Sequence, residues 1–452
     1  MRGHKVAFEA YGHEAMCPYW INSHKRRSLM LNMLKRFPTL TSLKNIFLPK
    51  SYPQSVSPDY LEYQIWDTIQ ALASSVTGAL AAQALLVGVG VGNVEATILS
   101  ASLSWMLKDG SGMIGKIVFV GWQGSYLDCD CKRWRFLADI LNDMALFMEL
   151  ASPSFPAYFT LIVCVANILK SVVSVAGGAT RAAVTYHQAR DNNVADVAAK
   201  DGSQETLSNL LALLFNLSMV YFVTGKWNLI WFGFFVLTAV HLYANYRAVR
   251  CLQLATFNRN RFSIAVNAWL TRRIRLEKPA ATTAFPSVAW VNSEESVLGS
   301  ASSVRLHLGC ALHDIPEEGQ MNLSDLIQVF LNEKYLLYCP DWFRIFNGQA
   351  LHRIPIYIAL VKDCEPSDQL MAVLHAELLA FLNHLPSNFA LSEEFEAIRT
   401  AKTVVEFSRI SLEVSRKLLS ELTRGNSALV APQWNLNALH FCADEWRCMW
   451  AN

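Results

Sequence analysis

Two long uncharged runs near the middle of the chain constrain its fold more than any other feature. Residues 207–224 and 227–246 contain no Lys, Arg, Asp or Glu, and only Gly225 and Lys226 separate them. Each run is long enough to cross a bilayer as a helix. Because so short a turn joins the two runs, they are predicted to form a transmembrane hairpin whose outer ends lie on one side of the membrane.

The chain that follows the second run is strongly basic. Its arginines up to residue 275 are Arg247, Arg250, Arg259, Arg261, Arg272, Arg273 and Arg275. Lys and Arg concentrate on the cytosolic side of membrane proteins. The outer flanks of the hairpin, and the C-terminal domain with them, are therefore predicted to lie on the cytosolic side of an integral membrane protein.

Composition agrees with a membrane location. Apolar residues make up 52% of the chain and charged residues 17%, against about 25% charged in ordinary soluble domains. This balance argues against a disordered chain, a coiled coil or a highly charged nucleic-acid binder. The predicted partner is a lipid bilayer, and no nucleic-acid partner is expected.

The rest of the chain divides by pattern. Residues 1–46 are predicted to be a basic, poorly structured leader, and residues 47–278 a helical membrane core. Within that core, 155–176 is a further candidate span, and 71–94 is either a span or a buried soluble helix. A linker over 279–303 leads to a C-terminal α+β domain over 304–452.

The elements predicted for that domain are three strands, Val304–Leu308, Tyr335–Cys339 and Ile354–Val361, and two helices, Ser367–Leu385 and Glu393–Arg424. Strand-like alternation and helical periodicity carry these predictions. The predicted fold class is mainly α, with a helical membrane-embedded core, a central transmembrane hairpin and a small α+β C-terminal domain.

Ionisable and polar residues in the core define a candidate polar path. Asp139 and Asp143 stand four apart on one face of a predicted helix, and Asn167 and Lys170 interrupt the apolar run 155–176. Ionisable groups at membrane depth usually mark a functional path. The favoured alternative is structural: Arg135 pairs with Asp139 along the helix, and Asp143 lies on a solvated face.

A polar segment directly before the first uncharged run is a candidate site for an anion or a protein partner. Asp201 can cap a helix there while Gln204 returns the bond, as in a capping box. A helix start beside Lys200 and Arg181 would also hold a phosphate or a carboxylate. The candidate residues are Arg181, Lys200, Asp201, Gly202, Ser203, Gln204 and Glu205.

No cofactor, metal or catalytic residue set is predicted. Residues Gly110, Gly112 and Gly115 match the dinucleotide spelling G-x-G-x-x-G, but a helix-like segment precedes them where the motif needs a strand. The histidines do not stand at ligand spacing, and the Cys129/Cys131 pair lacks further zinc ligands. The scattered cysteines indicate free thiols in a reducing compartment.

Several longer blocks resemble the root UVB-sensitive family, over residues 47–275 closely and over the C-terminal domain more loosely. The blocks are Ser55-Val-Ser-Pro-Asp-Tyr60, Trp105-Met-Leu-Lys-Asp-Gly110-Ser-Gly-Met-Ile-Gly115, Trp134-Arg-Phe-Leu-Ala-Asp139-Ile-Leu-Asn-Asp143, Ala176-Gly-Gly-Ala-Thr-Arg181 and Ala195-Asp-Val-Ala-Ala-Lys-Asp-Gly-Ser-Gln-Glu-Thr206.

This resemblance implies membrane association and roles in seedling development, ultraviolet-B responses, auxin transport and vitamin B6 homoeostasis, with two plant members acting as a complex. It implies no reaction.

Three hypotheses follow. The leading one is a non-enzymatic membrane protein that binds a protein partner, such as another family member. The second is a carrier of a small anionic solute, and the third, ranked lowest, is an enzyme or cofactor-binding protein using Lys200, Asp201, Ser203 and Glu205.

Overall fold

The computed structural model describes residues 4–9, 17–21, 40–90, 98–223, 225–275, 285–300, 302, 304–343, 353–386, 389–423 and 434–450. The chain forms two compact units. The first, here called the helical unit, comprises Met1–Leu127 and Cys131–Leu252. The second, the C-terminal unit, comprises Asp128–Asp130 and Gln253–Asn452. The division after Leu252 lies well before the boundary predicted at residue 278.

The helical unit contains two short strands and seven α-helices among its described residues. In chain order they are β1 (His4–Glu9), β2 (Cys17–Ile21), α1 (Leu40–Phe47), α2 (Tyr60–Val89), α3 (Ile98–Gln123), α4 (Cys131–Ala151), α5 (Phe159–Gln188), α6 (Val194–Val223) and α7 (Trp227–Cys251). The strands pair antiparallel. The segment predicted as a poorly structured leader therefore holds two strands and α1.

Helix α2 is the centre of this unit, because α4, α6 and α7 all pack against it. Small residues such as Ala81 and Ala84 are fully or almost fully buried on α2, where they let Leu146 of α4 and Phe234 of α7 approach closely. Helices α6 and α7 follow one another through a turn at Gly225, whose φ of 81° suits glycine. Each of them packs chiefly against α2 rather than along the other, so the predicted hairpin is not seen as a packed pair.

Three described helices are long and apolar enough to cross a membrane. They lie within Tyr60–Val89, Pro156–Gln188 and Trp227–Cys251. These helices contain most of the predicted segments 71–94 and 155–176 and the whole of 227–246. The predicted run 207–224 falls mostly in α6, which is not among the three.

The glycines of the G-x-G-x-x-G spelling lie inside helix α3, and two of them, Gly112 and Gly115, let α5 approach. A Cβ placed on Gly112 would lie 2.3 Å from Asn167 Nδ2, and one on Gly115 would lie 2.9 Å from Ser171 Oγ. A Cβ on Gly110 would meet no atom within 4 Å. The motif is a helix-packing feature, and its helical setting agrees with the rejection of dinucleotide binding.

Replacing Gly112 with leucine is expected to destabilise the helical unit by about 1–3 kcal/mol, as forced overpacking does. The new side chain would displace the Asn167 amide, which donates to the Lys108 carbonyl oxygen at 2.8 Å. The matched control is Gly110→Leu, which adds the same side chain at an open position and gains helix propensity. Thermal unfolding of the detergent-solubilised protein should give a lower Tm for the first variant only. Equal Tm values would contradict the packing role.

The C-terminal unit contains short strands and seven α-helices among its described residues. They are β3 (Thr256–Asn258), α8 (Arg259–Arg275), α9 (Val288–Glu294), β4 (Val304–Leu308), α10 (Glu317–Met321), α11 (Leu323–Val329), β5 (Tyr335–Tyr338), β6 (Ile354–Leu360), α12 (Pro366–His384), α13 (Glu393–Arg399), α14 (Val404–Thr423) and β7 (Asn435–His440). The predicted strands and the helix at 367–385 are confirmed within one residue at each end. The predicted helix 393–424 is two helices.

A mixed three-stranded sheet lies at the core of this unit. Strand β6 is central, parallel to β4 and antiparallel to β5. Strands β3 and β7 form a separate parallel pair. Helix α12 is buried continuously from Leu370 to Asn383, so it is the central helix of the unit rather than an amphipathic surface helix.

The buried side of α12 includes a histidine that must find partners without water. His375 Nε2 lies 2.9 Å from Ser411 Oγ, and its Nδ1 lies 3.1 Å from the Tyr335 hydroxyl. Burial lowers the pKa of His375 to about 3. The imidazole is therefore neutral at physiological pH, where it can both donate and accept.

The basic residues predicted to flank the membrane hairpin are partly interior to the C-terminal unit. Arg261 is buried and pairs with buried Glu295 at 3.0 Å. Arg273 pairs with Glu394 and Glu421. These two arginines stabilise the C-terminal unit, and so they do not form part of a free basic flank.

Two cysteines predicted as free thiols are paired. Cys129 and Cys442, both in the C-terminal unit, form a disulfide with their Cα atoms 6.0 Å apart. They are 313 residues apart in the chain, which is why spacing alone did not indicate the pair.

Candidate functional site

A buried polar cluster lies between helices α2, α4 and α7 of the helical unit. Gln70 Nε2 of α2 donates to Asp139 Oδ2 of α4 at 2.5 Å, and Asn245 Nδ2 of α7 donates to the same oxygen. His241 Nδ1 lies 2.9 Å from Asp143 Oδ2. Gln70, Asp139, Asp143, His241 and Asn245 are called the polar cluster below.

The imidazole links the two aspartates of the polar cluster. His241 Nε2 lies 3.7 Å from Asp139 Oδ2 and 3.3 Å from Gln70 Nε2. The His241 side chain is 1% exposed and that of Asp143 is 7% exposed. The prediction that Asp143 lies on a solvated face is therefore wrong, because α7 covers that face of α4.

Arg135 pairs with a different helix from the one predicted. Its guanidinium donates to Asp67 Oδ1 of α2 at 2.6 Å, and the Tyr63 hydroxyl donates to the same carboxylate at 3.4 Å. The predicted pair with Asp139 along α4 is replaced by this pair between helices. Arg135 and Asp67 lie beside the polar cluster and neutralise one another.

The other two residues of the predicted polar path lie on α5 with other partners. Asn167 donates to the Lys108 carbonyl oxygen of α3. Lys170 Nζ pairs with Glu149 Oε2 of α4 at 2.5 Å, and the Glu149 side chain is 1% exposed. The structure brings Asp139 and Asp143 together with His241, but Asn167 and Lys170 share no hydrogen-bond partner with them.

The segment 200–205 lies inside helix α6, which begins at Val194. The predicted capping by Asp201 is therefore wrong, since the residues before Asp201 already continue the helix. The side chains of this segment instead bind the end of α1. Lys200 donates to the Asn45 carbonyl oxygen at 2.5 Å, Ser203 to that of Ile46 at 2.8 Å and Gln204 to that of Phe47 at 2.6 Å.

These three bonds satisfy consecutive carbonyl groups at a helix C-terminus, where backbone acceptors have no partner within the helix. The lysine also places a positive charge at the negative end of the α1 dipole. The segment predicted to bind a partner thus binds helix α1 of the same chain.

Arg181 is neutralised by the acidic residues of the same segment. It forms ion pairs of 2.6 Å with both Asp201 and Glu205. A Cβ on Gly202 would meet no atom within 4 Å, so this position leaves open space. Arg181 and Lys200 therefore do not form the joint anion site that the sequence predicted.

Lys200 does take part in a separate cavity of about 630 Å³. Lys44 and Lys50 line it with Lys200, and Asp196 is its acidic residue. Lys200 Nζ lies 3.7 Å from Asp196 Oδ1. Three lysines against one aspartate give the cavity a positive balance that suits a small anion.

Removing the Ser203 and Gln204 donors is expected to release α1. The double variant Ser203→Ala/Gln204→Leu leaves two carbonyl groups of α1 without these partners, at about 1 kcal/mol each. Limited proteolysis should then cut residues 40–50 several-fold faster. The control Thr206→Ala removes an exposed hydroxyl that bonds only within α6, and faster cleavage in this control as well would contradict the assignment.

The α2 and α7 residues of the polar cluster were not among the residues that the sequence predicted. His241 and Asn245 stand four apart, the spacing that places both on one helical face. Asp139 and Asp143 have the same spacing on α4. Matching pairs at this spacing were the available signal.

Residues 34–273 match the Vitamin B6 photo-protection and homoeostasis domain, and residues 284–450 match the domain described as Root UVB sensitive protein, C-terminal. The chain belongs to the root UVB-sensitive family.

Two relatives are similar over long stretches. Root UVB sensitive 3 of Arabidopsis thaliana is 36% identical over 76% of this chain and 76% of its own length. RUS family member 1 of Dictyostelium discoideum is 40% identical over 64% of this chain and 54% of its own length, so the chain spans about half of that relative. The family name refers to ultraviolet-B sensitivity, and the name of the first matched domain refers to vitamin B6; neither name describes a reaction. No solved structure matches the chain.

Proposed function

We propose that the chain is an integral membrane protein whose helical unit lies in a bilayer. One observation carries this proposal. In the apolar helices within Pro156–Gln188 and Trp227–Cys251, only 22% of the most apolar stretch is buried by the rest of the protein. A soluble protein rarely leaves so large an apolar surface in water, whereas lipid covers it at no cost.

Outward-facing side chains on α5, α6 and α7 support the same conclusion. More than half of the surface of each of the following is exposed: Leu161, Leu213, Leu217, Phe222, Phe232 and Phe235. Arg247 and Arg250 follow the apolar part of α7, and this order favours a cytosolic location for its C-terminal end. We place the C-terminal unit on that side.

Within the membrane we propose a non-enzymatic role in vitamin B6 homoeostasis, through binding of another member of the family. The outward face of α3 is the surface best suited to this. Met106, Met113 and Ile117 are each about 70% exposed there, and exposed Asp109 and Lys116 lie on the same helix. Apolar residues with charged neighbours are typical of protein interfaces.

Two measurements test this proposal. Alkaline carbonate extraction should leave the protein in the membrane pellet, and release into the supernatant would refute integral insertion. A second tagged family member should co-purify in detergent with the wild-type chain and not with Met113→Lys/Ile117→Lys. The control Glu413→Lys introduces the same side chain at an exposed position of the C-terminal unit, and equal recovery with both variants would refute the α3 surface.

A second candidate function, carriage of a small anionic solute, is favoured by the lysine-lined cavity. A phosphorylated form of vitamin B6 fits its size and charge. In reconstituted vesicles, uptake of labelled pyridoxal phosphate should fall at least tenfold in Lys44→Gln/Lys50→Gln, while Lys116→Gln leaves it unchanged. Absence of uptake by the wild-type protein would exclude this candidate.

A further inference from the structure

The polar cluster has an unbalanced charge. Arg135 is neutralised by Asp67 at 2.6 Å, which leaves Asp139, Asp143 and His241. Even with the imidazole protonated, two carboxylates against one cation leave one negative charge in excess. Burying an unpaired charge is costly, and proteins usually avoid it by taking up a proton.

Two side-chain oxygens of the polar cluster are also without a hydrogen-bond donor. Asp143 Oδ1 and Asn245 Oδ1 are buried and receive no hydrogen bond from any residue that the structure describes. As whole residues, Asp143 is 6% exposed and Asn245 is fully buried. Buried acceptors are nearly always paired, so these two oxygens indicate that a hydrogen-bond donor belongs in the cluster.

We infer that the polar cluster is a proton-binding site. The Asp139 and Asp143 carboxylates together hold one exchangeable proton, and a second proton makes the His241 imidazole a cation. The proton comes from water and forms one O–H bond on a carboxylate oxygen, and its release returns it to water. With both protons bound, the cluster is neutral.

The neighbouring ionisable groups do not supply the missing charge. On α2, the Tyr63 hydroxyl donates to Asp67 and leaves that carboxylate negative. On α6, Asp201 is paired with Arg181. On α4, Arg135 is paired with Asp67, and on α5, Lys170 is paired with Glu149. A proton on the carboxylates is therefore the simplest way to neutralise the cluster.

A bound proton would link three helices that each contribute to the cluster. Gln70 belongs to α2, the two aspartates to α4, and His241 and Asn245 to α7. Its loss would leave a buried negative charge and weaken the contact of α4 with α7. The inference holds whether the chain binds a protein or carries a solute, so its failure and that of the proposed function are distinguishable.

Infrared difference spectroscopy of the full chain in lipid nanodiscs tests this directly. The wild-type protein at neutral pH should show the carbonyl stretch of a protonated carboxylic acid that shifts in D₂O, and this band should remain in Glu377→Gln, which removes the partly protonated carboxyl group of the C-terminal unit. Both Asp139→Asn and Asp143→Asn should lose that band, because either change removes the excess negative charge. The control Asp109→Asn alters an exposed carboxylate of α3 and should keep the band.

The wild-type measurement needs no variant to fold. A wild-type spectrum without any protonated carboxyl band at neutral pH would overturn the inference, as would a band that persists in both cluster variants when Glu377→Gln is combined with them.

Discussion

Replacing Arg261 with leucine is expected to lower the stability of the C-terminal unit by about 3–5 kcal/mol, the usual cost of leaving one member of a buried ion pair alone. The Arg261 and Glu295 side chains are 3% and 4% exposed. Arg261 Nη1 contacts both oxygens of Glu295, at 3.0 and 3.2 Å. Without the guanidinium, the Glu295 carboxylate stays in the interior without its cation, although Asn258 Nδ2 still donates to its Oε1 at 3.2 Å.

Hydrogen exchange of the α12 amides in the full chain measures this change as a lower opening free energy. Arg305→Leu is the control, because Arg305 is exposed on β4 and should change stability by less than about 0.5 kcal/mol. The double variant Arg261→Met/Glu295→Leu should recover most of the loss, since it removes the unpaired charge. A change below about 1 kcal/mol in Arg261→Leu would contradict the account.

Glu377 should make the C-terminal unit less stable as pH rises. Burial raises the pKa of Glu377 from 4.5 to about 7, while Ser263 Oγ donates to its carboxyl group at 2.8 Å. Between these two values the unfolded chain loses a proton that the folded chain keeps, so stability falls as pH rises. The loss amounts to about 3 kcal/mol, at 1.36 kcal/mol for each unit of pKa difference.

The buried histidine of α12 acts in the opposite direction. Since burial lowers the pKa of His375 from 6.5 to about 3, stability falls as pH drops through that range. The two effects oppose one another between about pH 4.5 and 6.5, and a pH profile of the wild-type protein alone does not separate them.

Comparison with Glu377→Gln isolates the glutamate, because the amide keeps the shape and does not titrate. Relative to wild type, this variant should gain about 3 kcal/mol in the opening free energy of α12 between pH 4.5 and pH 8. Glu413→Gln, an exposed position on α14, is the control and should follow the wild-type profile. A constant difference between Glu377→Gln and wild type across this range would show that Glu377 is ionised in the folded state.

The strands of the C-terminal unit could be predicted because their sequences carry a local signal. Ile354–Leu360 alternates and is rich in β-branched residues, which is typical of strands. The break between Arg399 and Val404 carries no such signal. It contains neither glycine nor proline. The helical periodicity of the sequence therefore continues through residues that are not helical in the structure.

The start of α6 could not be predicted from the local pattern of polar residues. Residues 194–206 lack an apolar stripe because Lys200, Ser203 and Gln204 bind the end of α1. Asp201 and Gln204 have capping-box spacing, so a helix start at Asp201 matched the local pattern. Only the tertiary contact with α1 explains why a helix runs through these polar residues.

Only the two aspartates of the polar cluster could be predicted from the sequence. The spacing of Asp139 and Asp143 places them on one face of α4, but spacing does not tell which helices cover that face. The sequence therefore predicted that Asp143 lies on a solvated face, and it did not indicate the contact of Asp143 with His241. The packing of α2 and α7 against α4 adds the other residues of the cluster, and only the three-dimensional structure shows this packing.

Photo-crosslinking in a bilayer tests the central claim that the helical unit is embedded in lipid. The photoreactive residue benzoylphenylalanine would replace Phe232, which is 68% exposed on α7, in full-length protein reconstituted into phospholipid vesicles. The same residue at Met321, 78% exposed in the C-terminal unit, is the control. Mass spectrometry after irradiation should find phospholipid attached at position 232 and none at position 321. A position 232 that captures no lipid while the protein remains bound to the vesicles would contradict the account.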